Sequence, residues 1–253
     1  MGHVLVTGAS AGIGEALARA FVARGDHVTV VARRVDRLQA LAAELGERVS
    51  VLAADLSSSA EADRMFAAAS SSRPVDVLVN NAGVQIVASV GRTDPDAADA
   101  LLAVDLGVPL RLIHRALPGM LERKRGAIVN VASMAALSPV PGMLWYNAAK
   151  GGLANASESL RGELRGTGVN VVTVYPGPVH TDMGTKGLAA YKPTLAARLT
   201  PWGDTTTLAR RVVSAVASGS ARVIYPRPYW VSLFANNLSR WVSLRAAPPL
   251  QEG

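Results

Sequence analysis

Seven short valine-rich runs, HVLVTG, HVTVVAR, VSVLAAD, VDVLVNNAG, AIVNVAS, VNVVTVYPG and ARVIYP, are spaced along a chain of 253 residues. Their apolar residues are consecutive rather than alternating, so each run must be buried on both faces. A parallel sheet covered by helices on both sides supplies that environment; a sheet with one wet face does not. Between the runs, Glu15–Arg24, Val35–Leu45, Ala60–Ser71, Asp96–Met120, Tyr146–Arg165 and Thr205–Ser218 carry alanine-rich patterns of helical period. The order predicts a doubly wound α/β fold: one parallel sheet of about seven strands, helices on both faces, in a single domain over 1–253. No repeat, low-complexity tract or linker interrupts it, and Ser70–Pro74 reads as a helix end and turn.

Composition removes several classes of function. Hydrophobic residues make up 49% of the chain, yet no uninterrupted apolar run approaches the ~18 residues of a membrane-spanning helix. The chain enters a strand pattern at once, without the basic and apolar regions of a signal peptide, so a soluble cytoplasmic protein is expected. With no cysteine there is no disulfide, thiol nucleophile or Fe–S site. The four histidines, His3, His27, His114 and His180, show no ligand spacing, and no metal is expected. The net charge of +7 favours anionic ligands or surfaces. Its basic residues are scattered without an aromatic platform, which argues against nucleic acid.

TGASAGIG follows the first run and precedes a helical pattern. Gly8, Gly12 and Gly14 occupy the strand-to-helix turn, where glycine lets backbone approach a pyrophosphate and the next helix offers its N–H groups and positive dipole end. The spacing G-x-x-x-G-x-G departs from the commonest dinucleotide fingerprint, so a tight connection without a ligand stays open on this motif alone. The second run ends at Ala32, Arg33 and Arg34, where an NAD-binding version of this Rossmann-like fold carries an acid. Arginine there can pair with a 2′-phosphate that an aspartate would repel, so NADP is favoured over NAD. A solvated helix start is the plainer alternative for both arginines.

YNAAK places Tyr146 and Lys150 four apart, on one face of a helix. A free phenol has a pKa of about 10, so acid–base work near neutral pH needs about 4 kcal/mol of preference for phenolate. The ammonium beside it supplies part of that. Ser133 ends the preceding strand, thirteen residues upstream, and its hydroxyl can meet Tyr146 over one substrate carbonyl.

Taken in order, TGASAGIG, NNAG (Asn80–Gly83), Ser133, YNAAK and YPGPVHT (Tyr175–Thr181) resemble the short-chain dehydrogenase/reductase family in its single-domain branch, over roughly residues 3 to 226. The resemblance implies an NADP(H)-dependent oxidoreductase interconverting a carbonyl and a secondary alcohol, working as a homodimer or homotetramer. It implies that Gly8, Ser10, Gly12, Ile13 and Gly14 hold the pyrophosphate side, that Asp55 and Leu56 face the adenine, and that Asn81, Ala82 and Gly83 support the adenosine ribose region. Pro176, Gly177, Val179 and Thr181 would frame the nicotinamide, with Tyr146 and Lys150 on its ribose. Tyr146 would give the proton in reduction, Ser133 would hold the carbonyl oxygen, and Lys150 would lower the tyrosine pKa. A non-catalytic NADP sensor would keep the glycine turn but should lose Tyr146 or Lys150, and both are present.

One position departs from the family. Members usually carry asparagine in the middle of the fourth helix, where its side chain supports a local distortion and its backbone carbonyl holds a water linked to the lysine, and LLAVDLGVP has Asp105 there. If only its backbone carbonyl matters, a proton relay survives; if the carboxylate pairs with Lys150, the lysine acts less on Tyr146. Between Ser133 and Tyr146, the side chains Met134, Leu137, Val140, Met143, Leu144 and Trp145 suit a small apolar carbonyl or alcohol substrate, or simply pack. Residues 178–203 would form a substrate lobe, with 183–203 as a lid. In the tail, 227–253, Trp230, Phe234, Leu238, Trp241 and Leu244 fall at helical spacing with Asn237, Arg240 and Arg245 largely off the stripe. Packing of this amphipathic helix on its own substrate lobe or on a neighbouring subunit is expected ahead of docking on an anionic membrane surface.

Overall fold

The computed structural model of the chain describes residues 2–194 and 200–251. Seven parallel strands form one sheet in the order β3-β2-β1-β4-β5-β6-β7. They are β1 (His3–Thr7), β2 (His27–Ala32), β3 (Val49–Ala53), β4 (Val77–Asn80), β5 (Gly126–Val131), β6 (Val169–Pro176) and β7 (Arg222–Tyr225). The chain winds outward from β1 in one direction through β2 and β3, then returns to start the other half at β4. The switch point lies between β1 and β4, where Val6 pairs with Val79, and a crevice opens there beyond the carboxyl ends of the strands.

The consecutive apolar residues divide between two cores, as burial on both faces requires. Val4, Val6, Val28, Val30 and Val79 face one layer with Leu17 and Phe21 of α1 (Gly12–Ala23), Leu38 of α2 (Val35–Leu45) and Leu208 of α8 (Thr205–Ser218). Leu5, Val31, Leu78 and Ile128 face the other, against Met65 of α3 (Ser59–Ser70) and Leu112 and Met120 of α5 (Val108–Glu122). Each fully buried side chain of this size contributes roughly 1.5–3 kcal/mol. α6 (Leu144–Glu163) is tied to the sheet by a buried polar chain: Asn80 Nδ2 donates to Asn130 Oδ1 at 2.8 Å, Asn130 Nδ2 to Ser157 Oγ at 2.8 Å, and Ser157 Oγ to the Leu153 carbonyl at 2.6 Å.

The helix expected over Asp96–Met120 is not continuous. It divides into α4 (Pro95–Leu102) and α5, joined by a π-helical turn at Ala103–Gly107 that holds Asp105. The expected lid resolves into α7 (Asp182–Ala189), capped by Thr181 Oγ1, which accepts from the Gly184 N–H at 3.0 Å; residues 195–199 of that expectation lie outside the described residues.

The tail forms α9 (Val231–Phe234) and α10 (Asn236–Ala246) across the substrate side of the crevice. Its apolar stripe does not pack on its own lobe, the first of the two seats expected for it. Ser239 and Ser243 face the protein, where Ser138 Oγ donates to Ser239 Oγ at 3.0 Å and Ser243 Oγ to the Pro139 carbonyl at 2.9 Å, while Trp230, Phe234, Leu238, Trp241 and Leu244 are exposed. Beyond α10, Lys192 N–H donates to the Pro249 carbonyl and Gln251 N–H to the Ala190 carbonyl, both at 2.8 Å, and Leu250 lies on Gly142.

Candidate active site

The glycine turn sits at the switch point in the geometry that a phosphate cradle needs. Gly8 has φ +68°, and a Cβ there would stand 2.7 Å from Ala82 Cα, so the turn and the segment after β4 are in direct backbone contact. Gly12 has φ +61°, beside the Thr181 methyl. Gly14 does not line the crevice as the resemblance implies. A Cβ there would lie 2.3 Å from the Gly8 carbonyl oxygen and 2.4 Å from Asn81 Nδ2, so its part is to let α1 close against the turn. The start of α1 has no side-chain cap, because Ala11 occupies that position, and its first N–H groups are left for an outside acceptor.

Side chains hold the segment Asn81–Gly83 against this turn. Thr7 Oγ1 accepts from the N–H groups of Asn81 and Ala82, each at 3.0 Å, and donates to the Val79 carbonyl at 3.1 Å. Asn81 Nδ2 donates to the Thr7 carbonyl at 2.9 Å. Sequence reasoning missed Thr7, although a threonine closing a strand beside a glycine turn is a usable signal for this role.

The crevice, about 2060 Å³, runs from Arg33 and Arg34 past Ser10, Gly12 and Ile13 to Ser133, Tyr146 and Lys150. Asp55, Leu56, Asn81, Ala82, Gly83, Pro176, Gly177, Val179 and Thr181 also line it. Arg34 Nε and its terminal nitrogen donate to Ser10 Oγ at 3.2 and 2.9 Å, which anchors one arginine at the glycine turn. Asp55 accepts from the Ser57 N–H at 3.0 Å, which, with Arg33 as a lesser influence, holds its carboxyl below the usual range.

The inner end is a closed set of charges. Lys150 Nζ donates to the Val131 carbonyl at 3.0 Å and stands 3.2 Å from Asp105 Oδ2 as an ion pair, without hydrogen-bond alignment. The two side chains are 5% and 0% exposed. Asp105 Oδ1 accepts from the Val84 N–H at 2.7 Å. Gly83 is required beside them, since a Cβ there would meet Asp105 Oδ2 at 2.9 Å and Lys150 Nζ at 3.3 Å. Lys150 Nζ is 5.8 Å from the centre of the Tyr146 ring. Ser133 Oγ accepts from the Ala135 N–H at 3.1 Å, which fixes the short turn after β5, and Ser133 lines the crevice with Tyr146.

These contacts set the protonation of each group. Burial pushes the Tyr146 phenol up, the Lys150 ammonium and the Ser133 hydroxyl pull it down, and the Asp105 carboxylate adds to the rise. Burial alone would depress Lys150, but Asp105 and Tyr146 outweigh it and hold the ammonium above its usual range. Burial likewise raises Asp105, with Lys150 and Val84 opposing. Among the described residues no group of three His, Asp or Glu side chains could hold a metal, and no helix is long and apolar enough to cross a membrane.

The substrate end is walled by Met134, Val140, Met143, Tyr191, Tyr229 and Leu238. Burial raises the phenols of Tyr191 and Tyr229 to about 12, so both stay neutral near physiological pH. Tyr191 OH donates to the Pro141 carbonyl at 2.8 Å. The C-terminal contribution to this wall was not anticipated from sequence, because the serine contacts that seat α10 follow no motif.

The family model for short chain dehydrogenases matches residues 2–191. The NADP-dependent 3-hydroxy acid dehydrogenase YdfG of Salmonella typhi is 39% identical over 70% of this chain and 72% of its own length. The serine 3-dehydrogenase of Agrobacterium fabrum is 37% identical over 72% of this chain and 73% of its own. The structure of a short-chain dehydrogenase from Sphingobium yanoikuyae in complex with NADPH superposes with a TM-score of 0.82 at 26% identity, covering 99% of both chains. With a family model matched over residues 2–191 and relatives of 37–39% identity over more than two thirds of their own length, the chain belongs to the short-chain dehydrogenase/reductase family.

Proposed function

We propose that the protein is an NADP(H)-dependent oxidoreductase that interconverts a carbonyl and a secondary alcohol, with Tyr146 as the acid and base. The observation that carries this reading is the convergence of Tyr146, Lys150 and Ser133 at the closed end of a crevice whose other end holds Arg33 and Arg34. The residues fit the cofactor at three points: two cations at the rim for a 2′-phosphate, an uncapped helix start for a pyrophosphate, and a lysine for a ribose. NADP-dependent relatives support the choice of nucleotide. When bound, the nicotinamide supplies or accepts the hydride.

The chain's own residues then handle the proton. Ser133 Oγ holds the substrate oxygen and the Tyr146 hydroxyl donates to it in reduction; in oxidation the phenolate takes the proton from the alcohol. Lys150 favours the phenolate by its charge, and its raised pKa keeps that charge in place. Asp105 positions Lys150 and, through the π-turn, ties it to the segment after β4. It also opposes the phenolate, so this site is tuned to a higher pH than one with an uncharged amide there. The apolar side chains Met134, Val140, Met143 and Leu238 at the substrate end support an apolar ketone or alcohol.

The test is a panel of ketones, from short oxo acids to hydrophobic aryl and alkyl ketones, with NADPH or NADH followed by absorbance. NADPH-linked reduction of the hydrophobic members is expected. Nucleotide binding without turnover on any member would favour a sensor, and turnover of the oxo acids alone would overturn the substrate class.

A further inference from the structure

The helix α10 is seated the opposite way round from an ordinary surface helix, while α9 before it packs Leu233 against the core and leaves Phe234 in water. The small polar side chains Ser239 and Ser243 meet the protein, and the large apolar ones meet water. Trp230 is 58% exposed, Phe234 74% and Trp241 54%; Leu244 is exposed with them, and Leu238 is exposed at the edge where the tail meets the crevice. Trp230 and Phe234 stack edge to face at 4.7 Å, and the Arg245 guanidinium lies 4.9 Å over the Trp241 ring, so exposed rings and an exposed cation share this surface. A cluster of exposed apolar side chains with charge beside it marks a surface that something else covers.

The charge of the segment identifies the cover. Between Asp204 and Glu252 the chain has no acidic residue and six arginines, of which Arg227, Arg240 and Arg245 are exposed on the helical tail. A second copy laid stripe against stripe would bring these arginines together with no carboxylate in the segment to answer them. An anionic phospholipid surface answers both features, since headgroups take the guanidinium groups and the acyl boundary takes the tryptophan, phenylalanine and leucine side chains.

We infer that α9 and α10 form a docking face for an anionic phospholipid surface, on which the protein lies without crossing it. The same tail lines the substrate end of the crevice, through Val231 of α9, Leu238 of α10 and the flanking Tyr229 and Ala235, so docking turns the mouth toward the layer in which an apolar ketone partitions. That last consequence rests on the proposed function; the docking itself does not.

The experiment is co-sedimentation of the full-length protein with vesicles of phosphatidylcholine, with and without phosphatidylglycerol, in the absence of cofactor and substrate. The protein is expected to bind the anionic vesicles, to be released by salt, and to ignore phosphatidylcholine alone. Phe234→Ser/Trp241→Ser should weaken binding by at least roughly tenfold, and Arg240→Glu/Arg245→Glu should do the same if the first variant fails to fold. Circular dichroism checks each fold, and sedimentation velocity reads the assembly state. Failure to bind anionic vesicles, or binding that neither substitution weakens, would overturn the proposal. An oligomer that the Phe234→Ser/Trp241→Ser pair breaks up, with no vesicle binding, would overturn it in favour of a second copy. Ketone reduction on the same preparation separates the two claims: a protein that binds vesicles but reduces nothing supports docking and refutes the proposed reaction.

Discussion

The two ends of the crevice both present cations, and they use them differently. At the rim, Arg33 and Arg34 are exposed, and Arg34 is oriented by Ser10. At the closed end, Lys150 is buried against a carboxylate, a carbonyl and a phenol. An exposed charge is screened by water and salt, so it selects a ligand at modest energy. A buried one cannot be lost without leaving its partner stranded, and it sets the ionisation of whatever stands beside it. The rim should therefore tolerate substitution and change preference; the closed end should not tolerate it, and it governs rate and pH.

The strongest way to break this contrast is Lys150→Met. It leaves the Asp105 carboxylate, fully buried, with only the Val84 N–H. A loss of about 3–5 kcal/mol is expected from the urea midpoint, and Asp105→Asn in the same chain should recover most of it. The pH dependence has a definite sign. Burial raises Asp105, so its contribution to stability is present below the unfolded pKa and lost as pH rises through the folded one. In Lys150→Met the counter-charge is gone and the midpoint should fall further as pH rises. A variant as stable as the parent at neutral pH would mean that the pair carries no charge.

At the rim, Arg33→Asp should leave the fold unchanged and cut the preference for NADPH over NADH by roughly ten- to a hundredfold, the worth of one charge-assisted contact and its reversal. The ratio of kcat/KM values reads it, and the parent's preference should itself shrink with salt. Equal use of both nucleotides by the parent would remove the role given to these arginines.

The smallest effect sharpens the comparison instead of breaking it. Asp105→Asn keeps an acceptor for Val84 and removes the charge that opposes the Tyr146 phenolate. Burial still raises the phenol, but by less, so its pKa falls and the phenolate appears at lower pH. The pH profile of alcohol oxidation should move toward acid, measured with a slow substrate so that the proton step limits the rate. Superimposable profiles would show that the carboxylate does not act on the tyrosine.

How far the chain could be read in advance follows the same division. The sheet was legible because consecutive apolar residues such as Val4, Leu5 and Val6 meet opposite layers, and a parallel sheet covered on both faces accepts that. That the glycine turn, Arg33, Arg34, Tyr146 and Lys150 line one crevice was legible because their placement depends on spacing along one strand or helix. The resemblance implied a distortion of the fourth helix at Asp105, but not its π-helical form over Ala103–Gly107, because these residues have ordinary helical character and the contacts of Asp105 with Val84 and Lys150 lie far off in sequence. Thr7 and the Asn80–Asn130–Ser157 chain join residues far apart in sequence, which periodicity cannot pair. The tail's helical spacing could be read from the sequence, but the side that meets its own lobe could not, because two serine contacts with no motif, Ser239 to Ser138 and Ser243 to Pro139, seat it there.

The most direct test compares the parent protein with Tyr146→Phe, measuring NADPH affinity by fluorescence and reduction of one hydrophobic ketone on the same samples. The substitution removes the transferable proton and keeps the ring buried beside Lys150. The variant should bind NADPH within a few-fold of the parent while its reduction rate falls by about 10²–10⁴-fold. Reduction at the parent rate by a phenylalanine variant that binds the nucleotide normally would show that another group supplies the proton.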